Sequence, residues 1–492
     1  MARRVKSVEQ SIRETDEPSH RLKKDLSAWD LVVFGVGVIV GTGIFVLTGT
    51  QAATNAGPAV VLSFLLAGLT CGLAALCYAE LASSVPVAGS AYTFSYATLG
   101  ELVAWVIGWD LLLELMLGAA VVARGWSAYL ANLLDLPSWA AGDAARPDLA
   151  AMGIVIVLGL LLVRGSKLSS RVTGVLVVVK IAIVLLVIVL GAMYVDVRNW
   201  TPFVPPAQPA PEADAGILHQ PIVQAFLGLE PSVFGAFGVV AAASVVFFAY
   251  IGFDIVATTA EESRNPQRDM PRGILGSLAV CTVLYMAVAL VITGMVPYGE
   301  LNTAAPLAEA FASAGITWAA RLIALGAVAG ITSVILVLLL GQTRVLFAMA
   351  RDHLLPPSLA RVHPRYGTPW VITLVVTGGV ALLAGVVPLE ALSELVSIGT
   401  LFAFVVVCIG VLVLRRTAPD LPRAFRTPGV PVVPVLGVVA CVWLMINLPL
   451  DTWIRFLVWM VIGLVLYFTY GRRHSRLATG APLTTTTPRP PA

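Results

Sequence analysis

Charged side chains are scarce in this sequence. Asp, Glu, Lys and Arg make up 12% of the 492 residues, whereas a soluble domain carries about 25%. Apolar residues make up 58% of the chain, and the mean hydropathy is +0.90. The apolar residues form runs of the length that a membrane-spanning helix needs, about 20 residues. The composition therefore predicts an all-α polytopic membrane protein and excludes a soluble one.

The motifs of several protein classes are also missing. There is no Walker A sequence for ATP-driven transport, no TVGYG-like filter, and no basic patch that would indicate nucleic-acid binding. No His, Ser and Asp set stands at catalytic spacing, so no enzyme and no cofactor are predicted. No CxxC pair suggests a metal or redox site, because all five cysteines lie in apolar runs. They are Cys71, Cys77, Cys281, Cys408 and Cys441.

What is present is a succession of twelve apolar spans. They are residues 30–52, 57–83, 97–131, 149–164, 172–194, 236–260, 272–296, 317–349, 370–387, 391–414, 431–449 and 453–471. A polar segment, 1–29, precedes them, a Thr- and Pro-rich tail, 472–492, follows them, and 195–235 forms the longest loop. The first segment lacks an early apolar region, so no cleavable signal peptide is predicted and the first span directs insertion.

Lys and Arg are distributed unevenly between the two sides of these spans. With a cytoplasmic N-terminus, 24 of the 31 Lys and Arg residues fall in cytoplasmic segments and 4 in external segments or span margins. Cytoplasmic loops of membrane proteins carry such an excess. The chain is therefore predicted to lie in the cell membrane, plasma or inner, with both termini cytoplasmic.

The first span contains an unusual glycine-rich stretch, GVGVIVGTGIF at residues 35–45. Glycine inside a helix costs about 0.5–1 kcal/mol relative to alanine, so a plain lipid-facing helix has no reason to carry four of them. Either the glycines let a neighbouring helix approach closely, or the helix is unwound near Gly41–Gly43 and exposes its backbone to a ligand. A second broken helix would favour the ligand, because transporters place such breaks in pairs.

The sixth span supplies a second candidate break. Its centre reads FFAYIGFD at residues 247–254, with a glycine and an aspartate deep in an apolar run. An ionisable residue inside a span indicates a functional site. Asp254 either caps the second half of a broken helix or contacts a substrate, and the capping role is favoured. Both roles predict a break at Tyr250–Phe253.

Five motifs resemble a known family. They are GVGVIVGTGIFVLTG, YAELASSVPVAGSAYTFSYATLGE, GWDLLLELMLGAAVVARGWSAYL, FFAYIGFDIVATTAEESRNPQRDMPRGI and GQTRVLFAMARDHLLP. In this order they look like the amino acid–polyamine–organocation superfamily, in its cationic amino acid transporter branch with its bacterial relatives. The resemblance implies a LeuT-type fold of twelve transmembrane helices. Spans 1–5 (30–194) and 6–10 (236–414) would be inverted repeats with broken helices 1 and 6, and 415–471 would add two helices outside that core.

A broken helix has free N–H groups at one end and free carbonyls at the other, which suit the two charges of an amino acid. With the N-terminus inside, the amides of Thr42, Gly43 and Ile44 head the outer half of span 1 and are predicted to hold the substrate carboxylate. A Cβ at Gly41 or Gly43 would keep the ligand off the backbone. The carbonyls predicted to hold the ammonium are those of Ile39, Thr42, Phe248, Ala249 and Ile251.

The substrate side chain must be read by other groups. Phe248 and Phe253 are candidates for its pocket, with ordinary apolar packing as the alternative. The resemblance also places Leu338 of span 8 against the substrate side chain. Leucine offers no polar group there, which favours small or apolar neutral amino acids over arginine or lysine.

Lys180 lies in the middle of the fifth span, in VLVVVKIAIVLLVIV. It is too far from either end to reach water easily, and burial disfavours its charged form, so it can release its proton. A structural ion pair with Glu114 is the alternative. Proton-dependent relatives carry a lysine on this span, and the resemblance implies that it bridges span 1 near Val38 and span 8 near Ser333. Glu114 either tunes this lysine or is a hydrogen-bonded buried carboxyl.

These observations predict a secondary active transporter of L-amino acids that works by alternating access and is coupled to protons. The alternative within transport is a cationic amino acid exchanger or uniporter without ion coupling. An amino-acid receptor is an alternative of another class, but the short termini offer no output domain. The predicted partners are the amino acid, the proton and membrane lipid, and a small accessory membrane subunit is compatible with the sequence.

Overall fold

The computed structural model describes residues 26–84, 90–137, 139–140, 147–165, 170–211, 216, 218–257 and 263–476. Most of the predicted N-terminal segment and the last part of the predicted tail lie outside these residues. The α-helices are α1 (Ala28–Ile39), α2 (Thr48–Gln51), α3 (Val60–Ser84), α4 (Ser90–Thr98), α5 (Glu101–Leu134), α6 (Leu149–Val163), α7 (Ser170–Gly191), α8 (Ile222–Leu227), α9 (Gly235–Val246), α10 (Phe253–Ala257), α11 (Pro266–Met295), α12 (Pro306–Ser313), α13 (Thr317–Arg351), α14 (Trp370–Val386), α15 (Leu389–Thr417), α16 (Val432–Ile446), α17 (Leu450–Leu466) and α18 (Arg472–His474).

Tighter and wider turns join several of these helices. The π-helical turns are Gly43–Leu47, Ala52–Ala56 and Tyr467–Gly471. The 3₁₀ turns are Gly57–Ala59, Ala192–Tyr194, Val197–Trp200, Phe247–Tyr250, Tyr298–Leu301 and Pro357–Ala360. Two π turns lie in the glycine-rich first span, and such turns are frequent at functional sites.

Eight helical stretches in the described residues are long and apolar enough to cross a membrane, and four shorter apolar helices accompany them. The chain is therefore a helical membrane protein, as its composition predicts. The third predicted span, 97–131, differs from the structure at its start. Gly100 has φ +99° and ends α4, so the long helix α5 begins only at Glu101.

The loop predicted at 195–235 contains the one departure from an all-α architecture in the described residues. Strands β1 (Gln208–Pro209) and β2 (Ser232–Val233) pair antiparallel. The prolines of this loop prevent a long helix, and a two-residue ladder satisfies part of its backbone instead. Apart from this two-residue ladder, the described residues are mostly helical, as the sequence predicts.

Burial separates central from peripheral helices. In Gly235–Ala257, 89% of the most apolar window is buried, whereas the share is 33% in Gly174–Tyr194 and 22% in Leu450–His474. Exposed valines and leucines cover the outer helices, such as Val439 on α16 and Val458 on α17. The two segments with predicted breaks therefore lie in the protein interior, and the outer helices present apolar side chains to lipid.

The inner half of the first span is fixed by small residues. A capping box between Ser27 and Asp30 starts α1. A Cβ on Gly35 would lie 2.6 Å from Ser277 of α11, and one on Gly37 would lie 2.3 Å from Val177 of α7. Close helix packing, the first of the two alternatives for the glycine-rich stretch, therefore applies to these two glycines.

Candidate functional site

The first break follows directly from the glycine-rich sequence. Helix α1 ends where Val40 takes an extended conformation (ψ 100°), and its amide closes the helix by donating to Val36 O. The chain resumes a helical path at Thr42, and a π turn begins at Gly43. The amides of Ile44 and Phe45 both donate to Gly41 O, at 3.2 and 3.3 Å. The break therefore lies at Val40–Gly41, at the start of the region predicted to be unwound, and Thr42 is already helical.

Of the three amides predicted to hold a carboxylate, two remain available. Ile44 N–H already donates to Gly41 O, which differs from the expectation for that residue. The structure gives the amides of Thr42 and Gly43 no acceptor within the described residues. The Thr42 side chain is fully buried, and its hydroxyl points at Val122 O, 3.4 Å away. Two adjacent amides therefore remain free in the protein interior.

Gly43 lies where the two breaks touch. A Cβ built on Gly43 would be 2.4 Å from both Cα and Cβ of Ala249, whereas one on Gly41 would meet Val334 at an ordinary 3.4 Å. A Cβ at Gly43 was expected to block a ligand, and this expectation is corrected. The space that the Cβ would enter is already filled by Ala249 of the second broken segment. Gly43 is needed so that the two backbones can approach each other.

The second break lies at the predicted position. Helix α9 tightens into the 3₁₀ turn Phe247–Tyr250, Ile251 is extended (ψ 135°), and Gly252 has φ +125° before α10 starts. Asp254 Oδ1 accepts a hydrogen bond from Gly252 N at 3.1 Å. Asp254 therefore caps its own half-helix, which confirms the favoured capping role.

A residue that the sequence analysis did not consider joins the two breaks. The hydroxyl of Tyr285, on α11, lies 2.8 Å from Ile39 O and 3.0 Å from Ala249 O. These are two of the five carbonyls predicted to hold an ammonium, and a third, Phe248 O, accepts from Ile251 N at 3.1 Å. The signal was available, because a buried tyrosine hydroxyl in an apolar span must find a partner.

The predicted side-chain pocket divides into two kinds of residue. Phe253 is fully buried and packs edge-on against Tyr78 and close to Phe404, with ring centroids 5.7 and 5.0 Å apart. This arrangement is the apolar packing given as its alternative role. Phe248, Ile251 and Leu338 keep small exposed fractions of 6%, 9% and 4%. All three residues are buried, and of them Phe248 and Leu338 are the predicted pocket residues, whereas Ile251 was predicted to contribute only its carbonyl.

Lys180 is fully buried and bonded to the broken helix. Its Nζ donates to Gly37 O at 2.6 Å, one residue from the carbonyl expected near Val38. Its Cγ lies 2.6 Å from where a Cβ on Gly330 would be, so the side chain is pressed against α13. Ser333 does not contact Nζ, since its hydroxyl donates to Gly330 O at 2.8 Å within α13. Lys180 therefore links α7 with α1 and α13.

Glu114 is not the partner of Lys180. Both residues are described, and no ion pair joins them. Glu114 lies on α5 one turn after Asp110, and both carboxyls are buried. Glu114 Oε1 and both oxygens of Asp110 find no hydrogen-bond partner within the described residues. Burying a carboxyl oxygen without a hydrogen-bond partner is costly, so this pair needs an explanation beyond packing. The alternative of an ion pair with Lys180 is wrong.

Two other charges inside the spans have structural roles. Arg124 donates to the carbonyls of Ala384 and Gly385 at 2.8 and 3.1 Å, which satisfies the end of α14. Glu80 is fully buried and accepts two hydrogen bonds from Arg415, at 2.7 and 2.8 Å. Neither residue contacts the breaks.

The described residues contain no group of three or more His, Cys, Asp or Glu arranged to hold a metal. The site is built from backbone groups, one lysine and one tyrosine. Such a site can bind and release a small zwitterion.

Comparison with known proteins places the chain among permeases. Residues 26–467 match the family model described as "Amino acid permease". The chain is 47% identical to a branched-chain amino acid permease, BcaP, of Bacillus subtilis, over 96% of this chain and 98% of the relative. It is 45% identical to a methylthioribose transporter of the same organism, over 93% and 96% of the two chains. It is 37% identical to cationic amino acid transporter 1 of Arabidopsis thaliana, over 80% and 63%.

Proposed function

This chain belongs to the amino acid permease family, a family of membrane transporters and not of enzymes, and from that premise we propose that it carries neutral L-amino acids together with protons. The observation that carries the proposal is the contact between two broken helices at Gly43 and Ala249, next to a buried lysine bonded to one of them. The carboxylate of an amino acid needs the free N–H groups at a helix start, and its ammonium needs the free carbonyls at a helix end. A coupled proton needs a side chain that can bind and release it.

The substrate head group would lie between the two breaks. The free amides of Thr42 and Gly43 would bind its carboxylate, since backbone donors at a helix start favour anions. The ammonium would bind carbonyls that Tyr285 now bridges, those of Ile39 and Ala249. Because one hydroxyl proton serves two carbonyls, each carbonyl keeps capacity for a further donor.

The side chain of the substrate would face Phe248, Ile251 and Leu338, which are all apolar. Burying an uncompensated charge among them would be costly, so neutral and branched side chains are favoured. The branched-chain permease among the relatives supports this choice. The relatives named cationic amino acid transporters support the second candidate, an exchanger or uniporter for cationic amino acids without ion coupling.

Proton coupling would act through Lys180. A protonated amine donates a stronger, charge-assisted hydrogen bond to Gly37 O than a neutral one. Loss of the proton would loosen the link between α7 and α1 and change the preference for one transporter conformation over another. Glu114 would act as a second proton carrier. The Ser333 hydroxyl would remain hydrogen-bonded to Gly330 O and would not contact the lysine.

The membrane arrangement is part of the same proposal. Eight long helices and four shorter ones together would make twelve spans, with α1 and the segment up to Ala56 counted as one broken span. Residues 30–194 and 236–414 would form two inverted repeats, and 415–471 two added helices. The uneven Lys and Arg distribution supports cytoplasmic termini in the cell membrane.

Counterflow in proteoliposomes tests the proposal. Proteoliposomes that contain the purified protein are loaded with each of twenty amino acids in turn, at two pH values, with and without sodium. We expect exchange with branched and small neutral amino acids, stimulation by an inward proton gradient, and no effect of sodium. Exchange only with arginine and lysine, independent of pH, would establish the second candidate. Binding of an amino acid without any flux would indicate a receptor.

A further inference from the structure

A cavity of about 570 Å³ lies away from the helix breaks, between the start of α11 and the segment that follows α15. Arg268 and Arg272 line it from α11, and Phe425 lines it from the other side. Neither the backbone site nor the proposed proton path uses these residues. The cavity therefore needs a separate explanation.

The two arginines are available to bind an anion. They are four residues apart on α11, so they lie on the same face of the helix, and both are exposed. Neither guanidinium has an acceptor among the residues that the structure describes. Arg415 and Arg423, by contrast, are bonded to the buried carboxylate of Glu80. The cavity thus presents two unpaired positive charges.

Apart from the amide side chain of Gln267, the rest of the lining is apolar. Leu275, Gly276 and Phe425 face the same cavity as the arginines. A free phosphate ion would gain nothing from these side chains, whereas a lipid offers a phosphate and a glycerol-acyl region together. Basic pockets between membrane helices at the cytoplasmic face bind anionic headgroups.

We propose that this cavity binds the phosphate headgroup of an anionic phospholipid. The two guanidiniums hold the phosphate, and Leu275 and Phe425 contact the start of the acyl chains. The inference rests on the proposed orientation, which places residues 261–272 and 415–429 at the cytoplasmic headgroup level. It does not depend on which amino acid is transported.

The position of the cavity connects the lipid to the broken helix. Gly276 lines the cavity, and a Cβ on it would lie 2.9 Å from Val32 of α1. One turn earlier, a Cβ built on Gly273 would lie 2.6 Å from Cβ of Leu31 of α1. A headgroup bound on α11 therefore stabilises the surface on which the inner half of the first span rests, and the transport rate should rise with anionic lipid.

Native mass spectrometry of the purified full chain, titrated with phosphatidylglycerol, tests the binding. The variant Arg268→Gln/Arg272→Gln is compared with Arg361→Gln/Arg416→Gln, which removes two exposed arginines elsewhere on the predicted cytoplasmic side. We expect the first phosphatidylglycerol to bind about tenfold more weakly or worse to the cavity variant, and unchanged to the control. Equal affinity in both variants would overturn the proposal.

Competition separates a lipid from a soluble phosphate. Inorganic phosphate and glycerol 3-phosphate are added at concentrations in excess of the lipid, and phosphatidylcholine serves as the zwitterionic lipid. We expect none of the three to displace phosphatidylglycerol. Displacement by inorganic phosphate would assign the cavity to a soluble anion instead. Because the readout is bound lipid, a failure here is distinguishable from a failure of the transport proposal.

Discussion

At the scale of single residues, Gly43 is the position where absence of a side chain matters most. Its Cβ would meet the Ala249 backbone, whereas Gly72 on α3 has nothing within 4 Å of the corresponding position. The same substitution at each of these two glycines therefore separates the effect of a clash at the breaks from the effect of a larger side chain elsewhere in a span.

We expect Gly43→Val to abolish uptake while the protein still inserts into the membrane. The valine forces the two broken segments apart, and with them the amides and carbonyls that would bind the substrate. Gly72→Val is the matched control and should keep uptake within about twofold, because it fills open space without forcing neighbouring atoms to shift. Proteoliposome uptake and membrane fractionation measure both. Normal uptake by Gly43→Val would show that the breaks are not the site.

Lys180 is the second position where one side chain has a distinct role. We expect Lys180→Ala to lose both accumulation against a gradient and the response of uptake to external pH, while exchange of amino acids across the membrane persists. In the wild type, uptake should fall as external pH rises, because the proton supply falls. Uptake assays at acidic and alkaline external pH measure this. A variant that remained accumulative and pH-dependent would remove Lys180 from the coupling mechanism.

At the scale of elements, Tyr285 joins the two breaks and Tyr250 does not. Their rings are neighbours, 5.4 Å apart, but the Tyr250 hydroxyl donates to Phe64 O of α3 at 2.8 Å. The two hydroxyls are chemically alike and differ in what they connect. A substitution at each therefore separates stability from substrate binding.

We expect both Tyr285→Phe and Tyr250→Phe to cost about 1–2 kcal/mol of stability, because each leaves a buried carbonyl without its donor. Only Tyr285→Phe should change the KM for uptake, since only its carbonyls lie at the breaks. Thermal unfolding in detergent and initial-rate uptake give the two quantities. An unchanged KM in Tyr285→Phe, or an equal change in Tyr250→Phe, would contradict this role.

At the scale of the whole molecule, the segment after α15 is held against α3 by one buried charge. Glu80 binds Arg415 through both oxygens, lies 3.3 Å from Arg423 Nε, and accepts from Thr427 N at 2.7 Å. By contrast, Asp451 and Arg455 form a more exposed pair within α17. The first arrangement connects distant parts of the chain, and the second is local.

We therefore expect Glu80→Gln to lower the free energy of unfolding by about 3–5 kcal/mol, because Arg415 and Arg423 lose the buried carboxylate that pairs with them. Asp451→Asn should cost less than about 1 kcal/mol, as exposed pairs contribute little. Thermal or denaturant unfolding of the purified protein compares them. Equal losses would show that Glu80 is not the group that holds this segment.

The outermost helix also contributes to the molecule as a whole. Trp109 of α5 stacks on Trp459 of α17 at 4.5 Å, and Trp105 donates to Gly463 O at 2.8 Å. The added C-terminal helix is thus bonded directly to the helix that carries Glu114. Sequence periodicity places both helices in the membrane but does not indicate this contact, since most apolar residues on an outer helix face lipid.

Much of this protein is determined by the sequence alone. The scarcity of charge determines the membrane class, because too little polar surface is present for water. Gly252, with φ +125°, determines where the second helix breaks, because only a residue without Cβ takes that backbone angle readily. Gly43 is required by the close approach of Ala249 and not by its backbone angles. The capping role of Asp254 follows from the same local chemistry.

Only the tertiary structure decided which groups meet. In the fold, Ala249 packs against Gly43, and the Tyr285 hydroxyl lies between carbonyls of two spans. Lys180 donates a hydrogen bond to Gly37 O and does not pair with Glu114. The backbone of one span cannot reveal which side chain of another approaches it, because in lipid the partners are chosen by close packing and hydrogen bonds rather than by hydrophobicity. The sequence therefore located the breaks, and packing determined their surroundings.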